Sequence, residues 1–245
     1  MNTGDFLQQI IDTHGGISLW NSIDAIEADI SVQGFLLTAK HRPALTHIKV
    51  TAKAHEPHFI FHDFPSAGLA GELIGNDEVR ITDSKGCILN RRRNPRSAFR
   101  GFRRMIYWDE LDFIYFGGYA TWNYLTAPFL FLWEGIQIEP CSDISLMLTG
   151  IKVSFPEELP VHCKTQSFYF DEKCFLRRFD YTAEVVGHWA QAAQFCENYR
   201  EFSGLKVPTH RRVLPLFGRK NPLPVPTLVD IDIHNIRLKQ ICPAD

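Results

Sequence analysis

The sequence predicts a mainly β domain of the α+β class, an antiparallel sheet with two N-terminal helices and a helical insertion midway. Three observations predict it. Short runs of alternating apolar and polar residues recur from residue 25 onward. Turn signals punctuate these runs, among them Asp83-Ser84-Lys85-Gly86, Asp171-Glu172-Lys173 and Ser203-Gly204. A block over 97–125 breaks the alternation with large rings every three or four positions. No repeat, low-complexity tract or long linker divides the 245 residues, so a single domain over 1–245 is expected.

Phe6, Ile10 and Ile11 fall at helical spacing, and His14-Gly15-Gly16 stops the helix over 3–14. A second short helix over 17–23 carries Leu19 and Trp20, so 1–23 forms the helical entry. Ile26, Ala28, Ile30 and Val32 alternate, which predicts a strand over 25–37. Strands follow over 47–54 and 57–64, then a hairpin of 78–82 with 86–90. In the insertion, Trp108, Leu111, Tyr115, Tyr119 and Trp122 form a stripe on one side of a helix. Asp109, Asp112 and Asn123 lie on a neighbouring face, and Gly117-Gly118 is expected to kink or split the helix. Strands resume with Ile151, Val153 and Phe155. Hairpins of 165–170 with 175–186 and of 192–202 with 206–216 come next. The stretch 218–226, with three prolines, reads as an extended connection. The last strand, over 227–238, alternates strictly and keeps one face wet.

The net charge of -2 gives no basic field, so nucleic acid is not an expected partner. Arg91-Arg92-Arg93 with Arg96, Arg100, Arg103 and Arg104 reads as a solvated loop and helix face, with docking to an anionic surface as the alternative. Met1 to Asp5 lacks a positively charged leader. The longest apolar patch, Ala127 to Trp133, contains Pro128 and is too short for a bilayer, so no membrane span and a cytoplasmic location are expected. Cysteines at 87, 141, 163, 174, 196 and 242 form no CxxC pair and are expected to be reduced and mostly buried. His58 and His62 share a strand face, but no HExxH or facial-triad spacing appears, so no metal is expected. GxGxxG, GxxxxGK[ST] and GxSxG are absent, which leaves no support for a nucleotide cofactor or an α/β-hydrolase; the expectation is no cofactor. Aromatic residues make up 13%, with 19 Phe, which means a core of large rings or a cavity lined by them.

The opening IIDTHGGISLWNSIDAIEADISVQG and the closing QFCENYREFSGLKVPTHRRVLPL resemble the helix, Gly-Gly, helix, first-strand entry and the late hairpin of the LolA and LppX type of lipoprotein-carrier superfamily. The middle segment WDELDFIYFGGYATWNYLTAPFLF is similar to that of uncharacterised bacterial proteins of this kind. The resemblance implies a strongly curved half-barrel whose hydrophobic concave face is covered by helices. It also implies an architecture similar to the cofactor-independent violacein-pathway rearrangement enzyme, a likeness of fold only.

Four constellations could carry chemistry. The stripe of Trp108, Tyr115, Tyr119 and Trp122 would stack on a flat ligand, or else pack as core. Asp109 and Asp112, at i and i+3, would raise one another's pKa if buried and give a general acid or base; the alternative is an exposed pair bonding Arg103 and Arg104. In the strand 177–181, Arg178 and Asp180 share one face and Phe179 and Tyr181 the other. The pair would orient a ligand or form a cross-strand ion pair, and Tyr181 would donate a proton. Arg211, if inward, would bind a carboxylate. His62 is the candidate rim acid-base and Tyr119 a further group assisting the proton transfer, with Asn123 and Phe168 as further ligand contacts. The leading expectation is a cofactor-independent enzyme acting on a bulky hydrophobic or aromatic small molecule by cyclisation, rearrangement or decarboxylation. A lipid or isoprenoid carrier is the alternative, and a docking scaffold using 91–104 is a third.

Overall fold

The chain enters through two short helices, α1 (Thr3–Thr13) and α2 (Ile17–Ser22), with Phe6, Ile10, Ile11 and Trp20 turned into the core. The computed structural model describes residues 3–145, 147–217 and 221–241, and side chains there except at 103, 104 and 142–145. Six strands follow as an antiparallel meander: β1 (Ile23–Gln33), β2 (Leu45–Lys53), β3 (His58–His62), β4 (Leu69–Ile74), β5 (Glu78–Asp83) and β6 (Ile88–Arg93). A five-residue helix, α3 (Phe35–Ala39), interrupts the β1–β2 connection. A 3₁₀ turn over Pro95–Phe99 and the short helix α4 (Phe102–Ile106) lead to the long helix α5 (Glu110–Thr126). After a second 3₁₀ turn, Phe129–Leu132, six more strands form a second meander. These are β7 (Gln137–Ser145), β8 (Leu148–Ser154), β9 (Thr165–Phe170), β10 (Leu176–Thr182), β11 (Gln191–Phe202) and β12 (Leu205–Phe217). A two-residue strand, β13 (Asn221–Pro222), pairs with the end of β12.

The last strand, β14 (Val229–Gln240), joins the halves. It pairs with β12 on one side and, from Ile23↔Gln240 to Gln33↔Asp230, with β1 on the other. The result is one curved, open antiparallel sheet with β6 and β7 at its edges, the expected half-barrel. Alternation along β14 sends Val229, Ile231 and Ile233 inward and Asp230, Asp232 and His234 outward.

Helix α5 lies on the concave side against β2 to β5. Close approach is possible because the contact is built on glycines. A Cβ on Gly118 would lie 3.1 Å from the Leu73 Cβ, and one on Gly71 would lie 2.8 Å from Ile114 Cδ1. Gly117-Gly118 does not split the helix, which runs unbroken from 110 to 126. The single stripe is also corrected. Phe113, Ile114, Tyr115, Tyr119, Trp122, Tyr124 and Leu125 are all buried, so the helix is enclosed nearly all round.

Other expectations need adjustment. The strand expected over 25–37 stops at Gln33, because Gly34 turns the chain at φ 135° against the Leu228 backbone, and 35–39 becomes helical. The run expected over 175–186 leaves the sheet after Thr182. Strands β4 and β7 have no counterpart in the expected set. Arg91, Arg92 and Arg93 belong to the edge strand β6 and not to a loop. Of the cysteines, Cys163, Cys174 and Cys196 are buried thiols, Cys87 is exposed, and Cys242 lies outside the described residues, as does 218–220 of the expected connection. No helix among the described residues is long and apolar enough to cross a membrane.

Candidate functional site

Asp109 is the N-cap of α5. Its carboxylate accepts from the Asp112 backbone N–H at 2.9 Å, and the Asp112 carboxylate accepts from the Asp109 N–H at 3.1 Å, a reciprocal capping box. Arg92 reaches in from β6 and bonds Asp109 at 2.7 Å and Asp112 at 2.6 Å. Burial works to lower the Arg92 pKa, but the two carboxylates outweigh it and raise it. Both aspartates are thus held by a fixed cation and by helix-terminal N–H groups. This geometry suits a structural clamp more than the expected proton shuttle. The alternative partners, Arg103 and Arg104, have side chains outside those described.

Along α5 the polar tips of the rings all find partners. Tyr115 donates to Asn76 Oδ1 at 3.0 Å, and Trp122 Nε1 donates to the Lys53 carbonyl at 2.9 Å. Asn123 Nδ2 donates to the Tyr119 and Pro160 carbonyls at 2.6 and 2.7 Å. Trp108 precedes the N-cap, outside the helix, with Phe99 and Phe116 against its ring. Tyr119 meets His162 Nδ1 at 3.1 Å, and Tyr124 meets His162 Nε2 at 2.9 Å. Tyr181 stacks on the His162 ring with centroids 3.9 Å apart. Burial, reinforced by the nearby Arg96 charge, pushes His162 down to about 3, so the imidazole is neutral. Burial likewise raises the Tyr119 and Tyr181 hydroxyls well above their ordinary range. The group is a neutral Tyr–His–Tyr network.

Arg211 points inward. It donates to the Tyr124 carbonyl at 2.6 Å and to Cys196 Sγ at 3.2 Å, with Tyr124 as a cation–π partner. The void beside it, which Asn123, Phe168 and Phe179 also line, measures only about 10 Å³, room for about one water. Phe168 is spent on stacking against Phe179. The ligand space expected under the long helix is thus filled by its own rings.

The room lies at one end of the sheet, where β10 and β12 finish and β11 and β14 begin. A cavity of about 430 Å³ opens there. Its floor includes Tyr181, Ala192, Val213, Val229 and Phe116, all buried. Phe35, Met105, Trp189, Phe217 and Leu223 line it closer to solvent and are large apolar residues left exposed. The loop over 183–190 supplies one wall, and α3 with Lys40 supplies another. Of the described residues singled out in the sequence as site candidates, Tyr181 alone lines this cavity.

Two others face elsewhere. Arg178 bonds Asp180 through two nitrogens at 2.7 and 2.8 Å, with the rings of Tyr169 and Phe195 beside the guanidinium, on the sheet face opposite Phe179 and Tyr181. A cross-strand ion pair was the alternative; the pair instead lies within one strand. His62 bonds Thr51 Oγ1 at 2.8 Å in a shallow polar groove with Glu27, Lys49 and Arg237. Arg96 is also drawn inward, to the Val161 and His162 carbonyls and Glu184, so the basic run is not one open face. Sequence reasoning missed Lys40, Tyr124 and the walls at 183–190. Tyr124 carried a signal, since it lies five residues after Tyr119 inside the aromatic block.

No family model matches the sequence, and no curated protein matches it. Solved structures do. A LolA superfamily protein from Nitrosomonas europaea superposes with a TM-score of 0.52 at 10% identity, over 96% of this chain and 94% of that one. A DUF1329 family protein from Desulfovibrio piger superposes with a TM-score of 0.51 at 10% identity, over 96% of this chain and 92% of that one. At this identity the likeness is one of fold, and the chain has a LolA-like fold.

Proposed function

We propose that this chain binds a hydrophobic small molecule in the cavity at the end of the sheet and acts as its carrier. One observation carries the reading: an apolar space of about 430 Å³ whose wall continues into exposed Phe35, Trp189, Phe217 and Leu223. Each methylene moved from water into such walls contributes about 0.8 kcal/mol. An alkyl chain or fused ring therefore binds there without directed polar contacts. The LolA-like fold supports the same reading.

Displacement of a neutral fluorescent probe such as N-phenyl-naphthylamine tests it. The wild-type protein is expected to bind the probe saturably at one site. In Ala192→Trp an indole fills the floor, and affinity should fall by about tenfold or more, equivalent to about 1.4 kcal/mol. Wild-type affinity in a folded Ala192→Trp protein would place the binding elsewhere.

Cofactor-independent catalysis in the same cavity is the second reading. Tyr181 favours it, since it lines the cavity and stacks on the His162 ring. Mass spectrometry of ligand recovered after incubation separates the two. Unchanged ligand supports carriage, and a rearranged or decarboxylated product supports catalysis.

A further inference from the structure

Among the described residues that line the cavity, Lys40 is the one with a charged side chain. It lies deep: it is 4% exposed, whereas Phe35 and Phe217, which also line the cavity, are 55% and 80% exposed. Its position is fixed at several points. The Lys40 backbone N–H closes α3 on the Leu36 and Leu37 carbonyls, and its carbonyl accepts from the Trp108 N–H at 3.2 Å. The ammonium donates to the Met105 carbonyl and sits 5.4 Å from the centre of the Trp108 ring. The other polar side chains of the wall are Tyr181 and Gln191.

We propose that Lys40 selects an anionic amphiphile, a single alkyl chain ending in a carboxylate, with its head at the buried end of the cavity and its tail running along the apolar walls to the rim. This rests on the cavity being the binding site. A buried ammonium beside apolar space is costly in a way that a bound carboxylate offsets, since a charge-assisted contact in a dry site is stronger than one in water. Burial lowers the Lys40 pKa, and a carboxylate at the same place would raise it. The gradient from a buried cation to exposed aromatic and aliphatic residues also fixes the orientation, because the reverse pose would put the charged head among Phe35, Trp189 and Phe217.

Calorimetric titration of dodecanoate and dodecanol into the wild-type protein at neutral pH is the test. Dodecanoate is expected to bind tighter by about tenfold or more, the range of a charge-assisted hydrogen bond. In Lys40→Met that ratio should fall to about one. Equal affinities for acid and alcohol in the wild-type protein would overturn the role of Lys40 and leave the cavity reading standing. Failure of both to bind would overturn the cavity reading and this inference with it. The wild-type comparison decides even if Lys40→Met does not fold.

Discussion

Asp112 shows how one side chain takes a different role once its neighbours are known. The D-x-x-D spacing at 109 and 112 is legible in the sequence as a pair of nearby carboxylates. Followed by an apolar run, it is equally the signature of a helix N-terminus. Choosing between them needs Arg92, which β6 brings in from 20 residues upstream. Asp112 is fully buried and its partner only partly so, which makes it the costly half to lose. Asp112→Ala, which leaves Arg92 without its 2.6 Å contact, is expected to cost about 3–5 kcal/mol. Asp109→Ala, a partly buried cap, should cost about 0.5–2 kcal/mol. Urea unfolding of both variants checks the order, and equal losses would contradict the clamp. Lys40 was illegible for a different reason. The alternation of β1 runs on into Phe35 and Leu37, and only the Gly34 turn against Leu228 converts that stretch into a helix facing the cavity.

At the scale of elements, α5 is the piece on which the interior depends. Its ring periodicity was visible, but its environment was not. A helix covered on one side and a helix covered on all sides share the same three-and-four spacing. The difference comes from segments far along the chain, such as Pro160 to His162, that close over it. The paired glycines were legible as a weak point and serve instead as a contact surface. Gly118→Val is therefore expected to push α5 off β4, with a loss of about 1–3 kcal/mol. Thermal unfolding would show it, and a neutral effect would mean that Leu73 gives way freely. Most hairpins were readable because turn residues and alternation agree there. β4 escaped because Leu69-Ala70-Gly71-Glu72-Leu73-Ile74 lacks alternation, the price of making room for Ile114.

For the molecule as a whole, the buried neutral histidines set an acid limit. Burial holds His162 down to about 3 and His14 down to about 4, against an ordinary value of 6.5. Below about pH 6.5 the unfolded chain takes up these protons and the folded chain does not. This stability is present above pH 6.5 and is lost as the pH falls toward 4 and 3, by about 1.4 kcal/mol per pH unit for each histidine. His210 has the opposite sign. Burial opposes its charge, but Glu197 and Asp230 outweigh that and raise its pKa, so its contribution is full below about pH 6.5 and fades as the pH rises through that raised value. Denaturant unfolding at several values between pH 4 and 6 should show a shallower slope in His162→Gln than in wild type, by about one proton. Equal slopes would mean that His162 titrates freely in the fold. The half-barrel as a class was legible through the order of its elements, yet the place of the cavity was not, because it arises where four strand ends from distant parts of the chain converge. The seam made by β14 has a further consequence. It is made after both strands that it joins, yet it sits at the middle of the described sheet. Until it arrives, β1 and β12 stay unpaired on those sides, two sticky borders on a nascent protein. Nonsense mutations or C-terminal nicking before Val229 would thus expose both at once and favour clumping over a smaller working fold.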